Sequence, residues 1–166
     1  MRVTRAIVLI FALAMPVVHM PSEALAATVV ALGASQTYGH GVSRGQDYPS
    51  QLQAMLKAKG MNVTVQNVGS WGGATTLAMR SKLEGVLAPD TKVVILQPGR
   101  KRAGDDRHEN IGEIKKILAE RHINLIMIPN RWFKQFPRQS DQQHLTAEGF
   151  HGLAEKLLPR VMATLR

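Results

Sequence analysis

The sequence predicts an α/β fold in which helices cover both faces of a short parallel sheet. Short apolar runs rich in β-branched residues alternate along the chain with amphipathic stretches. Strands that alternate with helices in this way form parallel sheets whose two faces are both buried. Because crossovers between parallel strands are right-handed, we expect a three-layer α/β/α sandwich with about four strands.

Four strands and four helices are predicted in alternation. The predicted strands cover residues 27–32, 63–68, 92–97 and 123–128. The predicted helices cover residues 47–59, 74–87 and 107–122, and a last helix has Thr146 as its N-cap. Pro49 suits the first turn of the first helix, and Gly60 ends it. Ligands of such sheets bind beyond the carboxyl ends of the strands, so the loops there are where we expect chemistry.

The first 26 residues have the pattern of a secretory signal peptide. Arg2 and Arg5 precede an apolar run over residues 7–18, and two alanines with the spacing of a cleavage site end at Ala26. A membrane anchor is the alternative, but the run is short for a bilayer core of about 30 Å and a proline interrupts it. We therefore expect a single mature domain over residues 27–166, periplasmic or secreted and without a stable membrane span.

The charge of the chain indicates which partners to expect. Lys and Arg number 21 against 12 Asp and Glu, a formal net charge of +9. An exported basic protein is not expected to bind nucleic acid, whereas anionic lipid or acidic polysaccharide would be a suitable neighbour. The alternative is that the charge only keeps the protein soluble. The sequence contains no cysteine, which excludes disulfides and thiol chemistry.

A serine follows the first predicted strand in a turn that contains glycine. Gly33 permits a sharp turn at the end of the strand, and Ser35 then lies at the predicted carboxyl edge of the sheet. A serine hydroxyl becomes a good nucleophile only when a base takes its proton. Taken alone, Ser35 is as well explained as an ordinary turn residue.

A histidine just before the last predicted helix supplies a candidate base. Asp141 precedes His144 by three residues, so its carboxylate can hold one imidazole nitrogen while the other nitrogen faces a serine. The alternative is that Asp141 caps the local turn and that His144 is a surface residue at the start of the helix.

Two further loops lie at the same predicted edge. Residues 67–76 follow the second strand, contain three glycines including Gly72, and lead into a helix. Glycines there let backbone N–H groups approach an oxyanion. Residues 97–102 follow the third strand and end in Arg100-Lys101-Arg102, which puts three cations at this edge.

The order of these four loops resembles that of the SGNH, or GDSL-type, hydrolases, a family of esterases, lipases, thioesterases and carbohydrate deacetylases with a flavodoxin-like sheet. Residues 33–35 stand where that family has Gly-Asp-Ser, and Gly72 stands at its oxyanion glycine. Residues 99–102 correspond to Gly-x-Asn-Asp, and residues 141–144 to Asp-x-x-His. The resemblance spans nearly the whole predicted mature domain.

The resemblance implies an ester hydrolase with a Ser-His-Asp triad that needs no cofactor. Ser35 would be the nucleophile, His144 its base and Asp141 the acid that orients the imidazole. Backbone N–H groups of Ser35 and Gly72 would hold the oxyanion, with Lys101 as a further candidate donor. The substrate would be a small-molecule, lipid or glycan ester, and the cations at the edge would favour an anionic one.

Two departures from the family pattern support a second hypothesis. Ala34 replaces the acid before the nucleophile, and Lys101 replaces an oxyanion asparagine. A flexible ammonium is a poorer match for a fixed oxyanion than a short amide. The alternative function is therefore a binding module on the same fold, with weakened catalysis and affinity for an anionic glycan or lipid.

Other candidate residues are assigned smaller roles. Only residues 129–140 separate the fourth strand from Asp141, and this segment contains Trp132, Phe133 and Phe136. These aromatic side chains either line a pocket or pack over the exposed edge of the sheet, and we favour packing. His40 is expected to flank the cleft. The remaining histidines have no metal-ligand spacing, so we assign no metal.

Overall fold

The computed structural model describes residues 26–72 and 74–165. The signal peptide predicted for residues 1–26 lies, apart from Ala26, outside the described residues. Among the helices of the described part, none combines the length and the apolar character that crossing a bilayer requires.

All the predicted strands and helices are present, and two short helices were not predicted. In chain order the strands are β1 (Ala27–Gly33), β2 (Val63–Gly69), β3 (Thr91–Gln97) and β4 (Asn124–Met127). The helices are α1 (Ser35–Tyr38), α2 (Tyr48–Ala58), α3 (Thr76–Val86), α4 (Arg107–Glu120) and α5 (Ala147–Thr164), with a 3₁₀ helix at Asn130–Gln135. The unpredicted elements are α1 and the 3₁₀ helix.

The four strands form one parallel sheet in the order β2-β1-β3-β4. Helices α2 and α5 pack on one face and α3 and α4 on the other, which confirms the predicted three-layer sandwich. Successive residues of β1 serve opposite faces: Val29 joins the core under α2 and α5, and Val30 joins the core under α3 and α4. Both are fully buried, which explains why β1 reads as a continuous apolar run.

The order of the strands places a crevice beside β1. The chain leaves β1 towards β2 on one side of the sheet and leaves β3 towards β4 on the other. Where neighbouring strands send their connections in opposite directions, the loops diverge and leave room for a ligand beyond the carboxyl ends. The segments that flank this crevice are the turn after Gly33 and the loop after Gln97.

Side-chain caps fix where the helices begin. Asp47 accepts a hydrogen bond from the Ser50 N–H at 3.0 Å, so it is the N-cap of α2 rather than its first residue. Thr75 caps α3 in the same way, which starts that helix two residues after its predicted start at Ala74. The predicted N-cap of the last helix is confirmed, since Thr146 accepts from the Gly149 N–H at 3.1 Å.

The aromatic segment after β4 packs into the core, as we favoured. Trp132 and Phe133 are buried among the residues between the sheet and α5, and Phe136 packs against the same cluster. Lys156 and Arg160 of α5 lie over the Trp132 ring, 4.8 and 4.9 Å from its centroid. The 3₁₀ helix therefore contributes its aromatic side chains to the core between the sheet and α5.

Candidate active site

The turn that carries Ser35 is fixed from the neighbouring strand β3. Gln97, the last residue of β3, accepts hydrogen bonds through Oε1 from the Ala34 N–H at 3.0 Å and from the Thr37 hydroxyl at 3.4 Å. Gly33 makes this close approach possible, because a Cβ at that position would clash with the Thr37 side chain and with Gln97. Ser35 then starts α1 at the mouth of the crevice, half-buried.

The other end of α1 is held from β2. The Asn67 amide donates to the Thr37 carbonyl at 2.8 Å and to the Asp47 carboxylate at 3.0 Å. The Thr37 hydroxyl also lies 3.3 Å from the Tyr48 hydroxyl, which is fully buried. Burial raises the pKa of Tyr48, so this phenol stays neutral at ordinary pH. The turn that carries Ser35 is thus attached to both neighbouring strands.

Ser35, His144 and Asp141 form one continuous hydrogen-bonded chain. The Ser35 Oγ lies 2.9 Å from His144 Nε2, and His144 Nδ1 lies 2.6 Å from Asp141 Oδ2. The other carboxylate oxygen accepts from the backbone N–H groups of Gln143 and His144, at 2.8 and 2.9 Å. The three-residue spacing lets Asp141 cap the turn and hold the imidazole at the same time. The two roles that the sequence left as alternatives are therefore compatible.

The hydrogen bonds assign the tautomer of His144. A carboxylate only accepts, so Nδ1 carries the proton and Nε2 of the neutral ring accepts from the Ser35 hydroxyl. The hydrogen bond from His144, helped by the two backbone donors, holds the pKa of Asp141 well below its usual range. Asp141 is therefore a carboxylate at any pH near neutrality, and His144 is arranged as a base towards Ser35.

The loop before α5 is tied to the nucleophile turn by glutamines. The Gln36 amide donates to the Gln143 carbonyl at 2.7 Å, and its carbonyl accepts from the Leu145 N–H at 3.3 Å. The Gln139 amide donates to the carbonyls of His40 and Leu145, both at 2.7 Å. These contacts bury His144 to 7% exposure and set the distance between its ring and Ser35.

His40 flanks the site, as the sequence analysis expected. Its ring centroid lies 4.3 Å from that of His144 and 6.1 Å from that of Trp71. Trp71 is 70% exposed, which is unusual for so large an apolar side chain. One side of the site thus carries a layer of rings that runs from His144 through His40 to the exposed Trp71.

The oxyanion side of the site is more open. Gly72 is exposed, has a φ of +80° and leaves free space where a Cβ would lie. The Arg102 guanidinium donates to the Gly72 carbonyl at 3.1 Å. Both residues line a small cleft that also includes Ser35 and His144. Gly72 therefore shares a cleft with Ser35 and His144, and an arginine lies beside it.

Lys101 does not line the clefts that contain Ser35. Its side chain borders a neighbouring cleft along the start of α4, together with residues 102–108. Its neighbours Arg100 and Arg102 line the main cleft beside Ser35. The structure therefore brings Ser35, Asp141, His144 and Gly72 together, and in place of Lys101 it brings two arginines.

Asp105 attaches the loop that carries residues 100–102 to the start of α3. Burial alone would raise the pKa of Asp105. The hydrogen bonds from the Thr76 backbone and hydroxyl, the Leu77 backbone and the Asn110 amide outweigh burial and lower that pKa. Asp105 is therefore a buried carboxylate that anchors the end of the loop which carries residues 100–102.

The main cleft has a volume of about 240 Å³. Ser35 and Phe133 lie in its wall, together with Gln97 and Asn130. Phe133 therefore serves both the core and the cleft, the two roles that the sequence analysis treated as alternatives. Within residues 26–72 and 74–165, no three His, Asp or Glu side chains come together as ligands for a metal ion.

Sequence reasoning missed the polar residues that position Ser35 and His144. Gln36 and Gln97 each connect two segments that are far apart in sequence, and single glutamines carry no recognisable pattern. A signal was available for Gln97, because a polar residue directly follows the apolar run of residues 93–96 at the carboxyl end of the strand. The position of Arg102 depends on the path of its loop, which no spacing rule predicts.

Comparison of the sequence with protein-family models and with curated proteins finds no match. Solved structures do match. The crystal structure of TesA superposes with a TM-score of 0.66 at 17% identity, over 84% of this chain and 98% of that chain. The psychrotrophic esterase EstA from Pseudoalteromonas sp. superposes with a TM-score of 0.65 at 12% identity, over 83% of this chain and 96% of that chain.

A third structure carries the family name. AlinE4, an SGNH-hydrolase family esterase, superposes with a TM-score of 0.53 at 22% identity, over 84% of this chain and 74% of that chain. The chain therefore has the fold of the SGNH hydrolases, which confirms at the level of the fold the resemblance inferred from the four loops.

Proposed function

We propose that this protein is an exported serine ester hydrolase in which Ser35, His144 and Asp141 form the catalytic triad. The observation that carries the proposal is the unbroken hydrogen-bonded chain from carboxylate to imidazole to hydroxyl, with distances of 2.6 and 2.9 Å. It lies at the crevice where such sheets bind ligands. The fold shared with solved esterases supports the same chemistry.

The reaction follows from the protonation states. His144 Nε2 takes the Ser35 proton as Oγ attacks the carbonyl carbon, and the imidazolium is stabilised by Asp141. The ester C–O bond then breaks, and the same proton passes from Nε2 to the departing alcohol oxygen. His144 then deprotonates a water molecule, which attacks the acyl-enzyme carbonyl. The bond between that carbonyl and Ser35 Oγ breaks, the acid is released, and His144 returns the proton to Ser35 Oγ. The cycle needs no cofactor.

The negative charge that forms on the carbonyl oxygen requires donors. We assign the backbone N–H groups of Ser35 and Gly72 to this role, since both residues border the small cleft at His144. Lys101 is a third candidate donor, and its side chain would have to turn out of the neighbouring cleft to act. Arg102 already lies beside Gly72 and supplies positive potential there.

The proposal is tested by hydrolysis of p-nitrophenyl esters across a range of acyl lengths. We expect turnover of at least some of them and its loss in Ser35→Ala, because the variant has no nucleophile. Ser43→Ala is a matched control, since Ser43 is an exposed serine in the loop after α1. Absence of turnover by the folded chain, or an active Ser35→Ala variant, would remove the proposed mechanism.

Export is part of the proposal and has its own test. The expected periplasmic or secreted product begins at Ala27, after cleavage behind Ala26. The mass of the protein recovered from the periplasm or the medium checks this directly. A product that retains residues 1–26 would contradict the cleavage site.

A second candidate function is a binding module for an anionic glycan or lipid. The observation that favours it is the group of cations around the cleft, with Lys101 in the place of an asparagine. A folded chain that hydrolyses no ester but binds vesicles of anionic lipid, in a salt-sensitive manner, would favour this candidate.

A further inference from the structure

Four cationic side chains border the cleft beside the nucleophile. They are Arg100, Arg102, Lys134 and Arg138, and no acidic residue is among the described residues that line this cleft. The cleft therefore has a positive potential directly next to Ser35. Low-dielectric walls concentrate such a potential on a ligand within the cleft.

The four cations come from three separate segments of the chain. Arg100 and Arg102 follow β3, Lys134 lies in the 3₁₀ helix, and Arg138 precedes the loop of Asp141 and His144. A run of charge in one segment is commonly just a solvated surface. Here the fold brings cations from three segments together at one cleft. This arrangement indicates a ligand of opposite charge.

The four cations are exposed, and no carboxylate among the described residues forms an ion pair with them. Arg102 and Arg138 donate to the backbone carbonyls of Gly72 and Gln142, at 3.1 and 2.8 Å. Within the part of the chain that the structure describes, none of the four cations forms an ion pair, and Arg100 and Lys134 make no side-chain hydrogen bond. The nearby Asp141 carboxylate is already engaged by His144 and two backbone N–H groups.

We infer that the cleft selects an ester that carries a negatively charged group, a carboxylate or a phosphate, close to its scissile carbonyl. This inference rests on the proposed function and names its substrate class. The volume of about 240 Å³ suits a short substituent rather than a long acyl chain. The arginines would hold the anionic group by charge-assisted hydrogen bonds and so position the carbonyl at Ser35.

The first test compares charged with uncharged esters of similar length. p-Nitrophenyl hydrogen glutarate places a carboxylate on the acyl side, and p-nitrophenyl hexanoate is its neutral counterpart. A second pair places the carboxylate on the alcohol side: the acetate ester of p-hydroxybenzoate is charged, and the acetate ester of methyl p-hydroxybenzoate is its neutral counterpart. We expect roughly tenfold higher kcat/KM for the charged member of at least one pair, an advantage that shrinks at high salt. No advantage in either pair would overturn the inference while leaving the hydrolase intact.

The second test removes charge from the cleft. Arg100→Gln with Lys134→Gln eliminates two exposed cations that form no side-chain hydrogen bond or ion pair within the described residues, so folding should be unaffected. We expect about a fivefold loss of kcat/KM on the charged ester and little change on the neutral one. Lys57→Gln with Lys92→Gln is the matched control, because both lysines are exposed and Lys92 lies at the opposite end of β3. Equal losses in both double variants would show that only net charge matters and would contradict the inference.

A binding measurement separates failure of this inference from failure of the proposed function. The Ser35→Ala protein cannot turn the ester over, so calorimetry on it measures affinity alone. We expect it to bind the charged ester of the preferred pair about tenfold more tightly than the neutral one. Preferential binding without turnover by the unmodified chain would reject the hydrolase and keep the anionic ligand. Equal binding would reject the anionic ligand whatever the activity.

Discussion

The two sides of the site are built in different ways. On the base side, Asp141, His144 and Ser35 are joined by short hydrogen bonds, and His144 is almost fully buried. On the oxyanion side, Gly72 is exposed and has space around it, and Lys101 borders a different cleft. One side has a geometry that is largely fixed by its own contacts. The other consists of loops whose donors are less constrained.

The two sides also differ in what determines their geometry. The geometry around His144 depends on the three-residue spacing between Asp141 and His144. This spacing lets one carboxylate reach both the backbone of its own turn and the imidazole. The geometry around Gly72 depends on the paths of the loops after β2 and β3, both of which contain glycine at positive φ. We therefore expect substitutions on the base side to have larger effects on turnover than substitutions on the oxyanion side.

The largest effect is expected from loss of the base. His144→Gln keeps an amide of similar reach but cannot take the Ser35 proton, so kcat should fall by roughly 10⁴-fold or more. Steady-state hydrolysis of the best p-nitrophenyl ester measures this. His151→Gln is the control, since His151 is an exposed histidine on α5. Comparable activity in the two variants would be incompatible with His144 as the base.

Loss of the orienting acid should have the next largest effect. Asp141→Asn presents an amide that can donate to Nδ1, which favours the tautomer with the proton on Nε2, the wrong one for a base. We expect kcat to fall by roughly 10³-fold, with KM much less affected. A change confined to KM would indicate that Asp141 acts in binding and does not orient the imidazole.

Asp141 also predicts how stability depends on pH. Its pKa is lowered by folding from an ordinary value of 3.8, so its carboxylate stabilises the folded state. This stabilisation is fully present above pH 3.8 and is lost as the pH falls from there towards the lowered pKa of the folded protein. In urea unfolding, the stability difference between the unmodified chain and Asp141→Asn should therefore shrink over this acidic range. A stability difference that increases as the pH falls below 3.8 would contradict this prediction.

A smaller effect is expected at the oxyanion glycine. Alanine at a φ of +80° strains the backbone by about 1–2 kcal/mol and turns the N–H away, so we expect roughly a 10- to 100-fold loss of kcat. Gly45→Ala is a close control, because Gly45 has a φ of +87° and equally free space around it but lies away from the cleft. The two variants should lose similar stability in urea while only Gly72→Ala loses activity. Equal activity would remove Gly72 from the oxyanion site.

The smallest effect is expected at Lys101. Since its side chain borders the neighbouring cleft, Lys101→Asn should change kcat by less than about tenfold. A rise would show that lysine is a poorer donor than the asparagine of the family. A fall of 10²-fold or more, on the order of a lost oxyanion donor, would establish that Lys101 turns into the site.

Most of the fold could be predicted from sequence because its signals are local or periodic. The centres of β1 and β3 are short buried apolar runs, residues 29–32 and 93–96, and Thr146 has the form of a helix cap. Helix α1 and the 3₁₀ helix were missed because elements of four and six residues are too short to show a period. The position of Arg102 could not be predicted from sequence either, because it depends on contacts between loops.

The central claim is that the hydroxyl of Ser35 is activated by His144, and a fluorophosphonate probe tests it most directly. Attack of the Ser35 Oγ on phosphorus would expel fluoride and leave a covalent adduct, whatever the natural substrate is. We predict one adduct per chain by intact mass, located on Ser35 by peptide mapping, and its loss in both Ser35→Ala and His144→Gln. A folded protein that takes no adduct, or that keeps it in His144→Gln, would contradict the account.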